Sequence, residues 1–223
     1  GLVSGLVSLD AIYSESSPGS GVNSSRENLQ LFVENAQAER AKFGKPLIKS
    51  FQLFAPATND LCTQENPWVQ GKKLLNTESV LYEGDCFAME IIPENPAQII
   101  LLSLASTGAI SKLIPNACSA MGLETPELVI NTKISLPQAT ATQAAVIGMD
   151  NTPGAELLYL IAIENTEIAK KVYENLANIP DICNSNVVQL TTHQEMNTLL
   201  TKLRSAYPKQ LQWEVNGFQH KSL

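Results

Sequence analysis

The sequence predicts a mainly β, α+β domain: an antiparallel sandwich- or barrel-like sheet with helices near both ends. Three observations carry that prediction. Strand-length apolar or alternating segments follow one another from about residue 79 to residue 163, each bounded by Gly, Pro, Asn or Asp. Two of them, 99–105 and 156–163, are apolar runs without polar alternation, so both of their faces need cover. Helical spacing of apolar residues occurs only before and after this region.

Residues 1–23 are rich in Ser and Gly and lack periodicity, which predicts a flexible leader or linker ahead of one β-rich domain over 24–223. Gly1 stands where Met opens a translated chain, so a processed or partial chain is expected. Ser24-x-x-Glu27 is a capping-box pattern. Leu29, Phe32, Val33 and Ala36 follow at helical spacing, and Gly44 with Pro46 ends that helix. A strand is expected over 47–54, followed by a long polar loop that contains Pro56, Asn59, Asp60, Cys62, Asn66 and Pro67. The basic pair Lys72 and Lys73 beside Gly71 reads as a solvated turn.

Phe87, Met89 and Ile91 alternate with Cys86, Ala88 and Glu90 after a Gly84-Asp85 turn. The most apolar stretch comes next, residues 98–117. Its first arm ends at Ser106-Thr107-Gly108, its second carries Ile110, Leu113 and Ile114, and Pro115-Asn116 closes it. Two short arms about a Gly-containing connection predict a buried β-hairpin. A spanning helix needs about 18–20 apolar residues in a row, and this segment is broken by Ser103, Ser106, Thr107, Gly108, Ser111 and Lys112.

Residues 128–134 alternate up to Pro137, and 144–149 is a further candidate strand. Asn151 to Gly154 is a turn before the second apolar run. Ile168, Val172, Tyr173 and Leu176 make one helical face. Thr192-x-x-Glu195 caps a second helix with Met196, Leu199, Leu200 and Leu203 on its face, and Pro208 stops it. Leu211, Trp213 and Val215 alternate with polar residues as a last strand.

The composition, 44% hydrophobic and 17% charged, is that of a globular chain with a sizeable core. The net charge of −7 argues against nucleic acid and anionic membranes as partners, because both need clustered Lys and Arg. Phosphate-binding Gly loops are absent, as are Cys-x-x-Cys and His-x-x-x-His spacings, so no metal and no cofactor is expected. The two histidines are His193, beside a helix cap, and His220, near the end of the chain. Cys118 with His193 as base is one conceivable nucleophilic pair, and its plainer reading is a small loop cysteine. Asp85 and Glu156 could pair for acid–base work, but both adjoin Gly in expected turns, where a carboxylate accepts backbone N–H bonds. The four cysteines, Cys62, Cys86, Cys118 and Cys183, allow three full pairings. Cys62, in the long Pro/Asn-rich loop, is the expected participant in a disulfide if the protein works in an oxidising compartment.

The middle of the chain resembles a bacterial family known as a domain of unknown function. Its members are often joined to protein-kinase or caspase-like domains, or occur in envelope and secretion-associated proteins. The resemblance rests on "YEGDCFAMEI" (82–91), "IILLSLASTGAISKLIPNA" (99–117), "KISLPQ" (133–138) and "NTPGAELLYLIAIE" (151–164). Within them Gly84, Asp85, Gly108, Pro115, Asn116, Leu136, Pro137, Pro153, Gly154 and Glu156 hold the motif positions, over roughly residues 80–165. Ile114 stands where an aromatic is usual, and the cysteines are not family hallmarks.

The resemblance implies a β-rich accessory domain without catalytic residues. The expected function is therefore a non-catalytic protein-binding module of a bacterial envelope or secretion-associated protein, located outside the cytoplasm. The alternatives are a small cysteine hydrolase built on Cys118 and His193, a regulatory domain of a longer kinase-like or caspase-like chain, and a cytoplasmic location. The expected working surface is a patch on the polar loops 56–76 and 116–127, with Trp68 as its aromatic anchor.

Overall fold

The computed structural model describes residue 33 and residues 46–115, 129–130, 132–138, 146–149, 153–184 and 189–222. The strands are β1 (Ile48–Pro56), β2 (Lys72–Leu75), β3 (Val80–Tyr82), β4 (Cys86–Pro93), β5 (Ala97–Leu104), β6 (Ala109–Ile114), β7 (Val129–Ile130), β8 (Ile134–Leu136), β9 (Ile147–Gly148), β10 (Gly154–Ile163), β11 (Gln189–Leu190) and β12 (Leu211–Lys221). Helices α1 (Thr166–Asn175) and α2 (His193–Ala206) lie between β10 and β12 in sequence. One sheet runs β2-β1-β4-β8, with β9 also on β4; the other runs β11-β6-β5-β10-β12-β3, with β7 also on β5. All pairs are antiparallel except β12–β3. The fold is a mainly β, sandwich-like α+β arrangement.

The layers follow from the apolar pattern. Leu53, Leu75, Met89, Ile91 and Leu136 of the smaller sheet pack against Ile99, Leu101, Leu158, Leu160 and Phe218 of the larger one. The opposite face of the larger sheet presents Ile100, Leu102, Leu157, Tyr159, Ile161, Trp213 and Val215. Ala169, Val172, Leu176, Met196, Leu200 and Leu203 of the helical segments cover it, together with Val33, which is itself helical. β5 and β10 therefore lack alternation because they are the middle of three layers, as the sequence predicts.

The hairpin is also as expected. Leu102 faces Lys112 and Leu104 faces Ile110, and Gly108 closes the turn at φ +87°, a conformation that favours glycine. The helix termini are specified locally. Thr192 Oγ1 accepts from the Glu195 N–H at 3.2 Å while Glu195 Oε2 accepts from the Thr192 N–H at 2.8 Å, the anticipated capping box. Asn165 caps α1 by accepting from Glu167 and Ile168.

Four expectations are corrected. Lys72 and Lys73 open strand β2 instead of a turn, and the segment 56–76 also holds a 3-10 turn at Asn59–Thr63. The 128–137 alternation is not one strand: β7 pairs with β5 of the larger sheet, and β8 with β4 of the smaller. The reason is that the chain crosses between the layers, so each short piece satisfies a different neighbour. The 144–149 segment is a strand only at β9 among the described residues. The last strand continues past Val215 to Lys221, so His220 is buried within β12. The expected leader, the first helix beyond Val33 and the 116–127 loop lie outside the described residues.

β12 carries a polar column on its sandwich-facing side, which joins the two sheets. Gln212 Oε1 accepts from the backbone N–H of Leu47 at 2.7 Å and of Ile48 at 3.3 Å, and Asn216 Nδ2 donates to the Phe51 carbonyl at 3.3 Å. β2 pairs with β1 only from Leu53 onward, so these side chains meet the edge of β1 that β2 leaves open. Gln212→Ala would leave two buried donors without that acceptor; a loss of about 1–3 kcal/mol in urea unfolding is expected. Leu102, fully buried in the middle layer, should lose about 2–5 kcal/mol as Ala and fail to fold as Asp. Unchanged urea midpoints would contradict the three-layer packing.

Candidate functional site

The sandwich core is not closed at one end. Along β10 the residues facing the smaller sheet are Ala162, Leu160, Leu158 and then Glu156; along β5 they are Ile99, Leu101 and Ser103, with Ala105 just past the strand's end lining the same side. Large apolar side chains give way to small or polar ones in both rows. A pocket of about 210 Å³ opens there. Phe87, Leu113, Leu158 and Phe218 are its buried floor, Ile147 and Met149 one wall, and Ile182, 41% exposed, its rim. Phe87 and Phe218 meet edge to face at 5.0 Å.

Local sequence holds each wall. Asp85 Oδ2 accepts from the Tyr82 N–H at 2.8 Å, and Gly84 takes φ +86° at the third position of that turn. The turn then receives the β9 strand: the Gly84 N–H donates to the Met149 carbonyl at 3.2 Å, and the Met149 N–H to the Asp85 carbonyl at 2.8 Å. On the other side, Lys112 holds the segment that carries Ile182. Its N–H donates to the Pro180 carbonyl, its carbonyl accepts from the Ile182 N–H at 3.0 Å, and its ammonium lies 3.3 Å from Asp181.

Glu156 supplies the carboxylate of the site. Its side chain is 16% exposed, and its Oε1 lies 4.0 Å from Nδ1 of the buried His220, beyond hydrogen-bond length. Glu156 was expected in a turn, but it is the third residue of β10 and points into the pocket, because Gly154 with φ +139° already starts the strand. Asp85 does sit in a turn and lines a different, smaller cavity of about 100 Å³ with Lys73 and the Cys62–Cys86 bridge. The two carboxylates thus belong to separate cavities. Among the described residues no three His, Cys, Asp or Glu side chains converge as a metal site, and no helix is long and apolar enough to cross a membrane.

Cys62 and Cys86 form a disulfide with S–S 2.05 Å, tying the 3-10 turn to the start of β4. Closing this loop contributes about 3–4 kcal/mol in a chain-entropy account. Cys183 is also disulfide-bonded. Cys118 and Asn116 lie outside the described residues. Pro115 and Leu136 are buried at the ends of β6 and β8, with Pro137 beside the latter, whereas Pro153 is exposed ahead of β10.

Trp68 is half-buried. Its ring lies 5.5 Å from the Lys72 ammonium, which also stands 5.4 Å over Phe54. Phe54 and Leu74 are register partners on the outer face of the smaller sheet. Val69, next to Trp68 in the chain, is 67% exposed, and Leu74, paired with Phe54 on the far side of Lys72, is 52% exposed, which gives this face an apolar patch. Lys72 and Lys133 both reach Glu90, at 3.5 and 3.0 Å.

Sequence reasoning missed the pocket's apolar lining. Its one readable signal was the pair of breaks, Ser103 and Glu156, in otherwise apolar runs. No protein-family model matches this chain, and no curated protein matches it significantly.

His193, the first residue of α2, is 1% exposed and lines neither cavity. Burial pushes its pKa from the ordinary 6.5 down to about 4. The unfolded chain takes up this proton near pH 6.5 and the folded chain only near pH 4, so folding stability contributed by the neutral imidazole falls as pH drops through that window. The loss reaches up to about 3 kcal/mol at the acid end. His193→Gln should flatten the decline in urea midpoint between pH 6.5 and 4.5, and an unchanged slope would contradict the burial of a neutral ring.

Proposed function

We propose that this protein is a non-catalytic protein-binding accessory module of a bacterial envelope or secretion-associated assembly. The observation that carries this reading is the patch formed by Trp68, Val69 and Leu74. Two of the five large hydrophobics exposed among the described residues fall within six positions of one another there, beside a half-buried tryptophan. Aromatic anchors ringed by exposed apolar and charged groups are what protein interfaces use. The Cys62–Cys86 bridge supports an oxidising, extracytoplasmic setting, where such bonds persist. The order of motifs over residues 80–165 supports kinship with the family of unknown function.

The anchoring role separates from packing by two variants. Trp68→Ala removes a partly buried ring and its contact with Lys72, and a modest loss of about 1 kcal/mol is expected. Val69→Ser with Leu74→Ser removes exposed groups, with no measurable change in stability. Both variants should lose at least tenfold in affinity for the partner identified by cross-linking in envelope extracts. Full retention of binding by both, in folded protein, would overturn the assignment of this patch.

A further inference from the structure

Strand β2 ends the smaller sheet, and among the described residues it pairs with β1 alone. In an antiparallel ladder alternate N–H and C=O groups point away from the neighbouring strand, so the far side of β2 is an open edge. We propose that this edge takes up an extended segment of a partner polypeptide as an added antiparallel strand. That segment sets an apolar residue beside Leu74 and carboxylates beside Lys73 and Lys72. The inference rests on the protein-binding reading of the Trp68 face and names the chemistry of the partner there.

The edge fixes the pattern of the partner. Lys72, Lys73 and Leu74 are exposed, and Leu75 is buried in the sandwich core. Lys72 stands over Phe54 and Trp68, and Leu74 is the register partner of Phe54, so both occupy the outer face of the sheet. Lys73 points to the other side and lines the small cavity that also holds Asp85. The described ladders of the smaller sheet are antiparallel, and an added strand alternates faces as β2 does. Read antiparallel to Leu74, Lys73 and Lys72, the partner runs apolar-acidic-acidic. Its apolar residue and its second carboxylate then lie on the Trp68 face.

Charge selects the occupant. Lys72 and Lys133 share the single carboxylate of Glu90, at 3.5 and 3.0 Å, so one of these two ammonium charges is left uncompensated. Lys73 makes no ion pair among the described residues, and Asp85 in the same cavity is turned to the Tyr82 N–H instead. Lysines on a short edge strand ordinarily deter pairing. Here they deter a neutral or cationic strand and favour one that brings carboxylates to meet them. A second copy of this chain is the poorer occupant, because β2 against β2 gathers four lysines on one short edge. The net charge of −7 opposes an acidic segment at long range, but salt screens it beyond about 8 Å, so the lysines at contact decide.

The test titrates isotope-labelled protein with the end-blocked peptide Thr-Val-Glu-Glu-Thr and its counterpart Thr-Val-Lys-Lys-Thr, reading backbone amide shifts. The acidic peptide should give saturable shifts centred on Lys72 to Leu75, and the lysine peptide should bind about tenfold more weakly. Two further acidic peptides carry an N-methyl group on Val or on the first Glu. Only one of two adjacent N–H groups of an added strand faces β2, so one of these peptides should lose about tenfold and the other stay within about threefold. The double variant Lys72→Gln with Lys73→Gln changes exposed side chains and should bring the acidic and lysine peptides within about threefold of each other. Four results would each overturn the proposal: no saturable shift with the acidic peptide, equal binding of the lysine peptide, equal tolerance of both N-methyl groups, or a dimer in sedimentation that protects the amides of β2 from exchange. Such a failure, with partner binding still dependent on Trp68, would leave the accessory-module reading standing and remove only strand addition.

Discussion

Everything in this structure is hung on the antiparallel pair β5–β10, which is buried on both faces. The register from Leu157–Leu104 to Ile163–Gln98 keeps a continuous ladder. Its outer edges pair with β12 on one side and with β6 and β7 on the other, while the Ile99 carbonyl accepts from the Tyr173 hydroxyl at 3.3 Å. With its hydrogen bonds so satisfied, the pair can carry apolar side chains in both directions. One direction meets the smaller sheet and the other meets the helices, so a single strand pair seeds two cores. A charge introduced at Leu102 or Leu160 would be fully buried in an apolar cluster.

A middle layer needs its margins managed, and the two margins are managed differently. On the β12 side, Gln212 and Asn216 turn toward β1 and close its unpaired edge with side-chain hydrogen bonds. On the other end, the inward rows shrink to Ser103, Ala105 and Glu156, and the core gives way to a pocket. Both arrangements place polar groups where an all-apolar strand would leave either an unsatisfied edge or a sealed end. The Gly84-Asp85 turn and the Lys112–Asp181 segment then frame the pocket from opposite sheets. Motif positions that read as simple turn formers are thus the supports of the candidate site.

Legibility in the sequence followed the range of the interactions. The hairpin about Gly108 and the Thr192–Glu195 capping box depend on neighbours within a few residues, and both were readable. The separation of β7 from β8 was not, because Leu128 to Pro137 alternates as one strand would and only the positions of β5 and β4 divide it. Lys72 and Lys73 are exposed, as expected, and only the turn is overturned. They form a strand because β1 offers Pro56 and Ala55 as their ladder partners. His220 looked like a tail because the alternation of β12 fades at Asn216, where the strand's inward face becomes a polar contact with β1.

By itself the sequence determined the class of fold, the buried hairpin, the two-faced burial of residues 99–105 and 156–163, the apolar face of α1 and the start of α2. Those features arise from periodicity, turn chemistry and capping, all of which are local. The tertiary structure alone decided that Cys62 pairs with Cys86, that Glu156 enters a pocket while Asp85 stays in a turn, and that Phe87, Met149, Ile182 and Phe218 meet. Each of these is a contact between segments far apart in the chain. No local pattern encodes such a meeting, because it is fixed by how the sheets stack and where one of them ends.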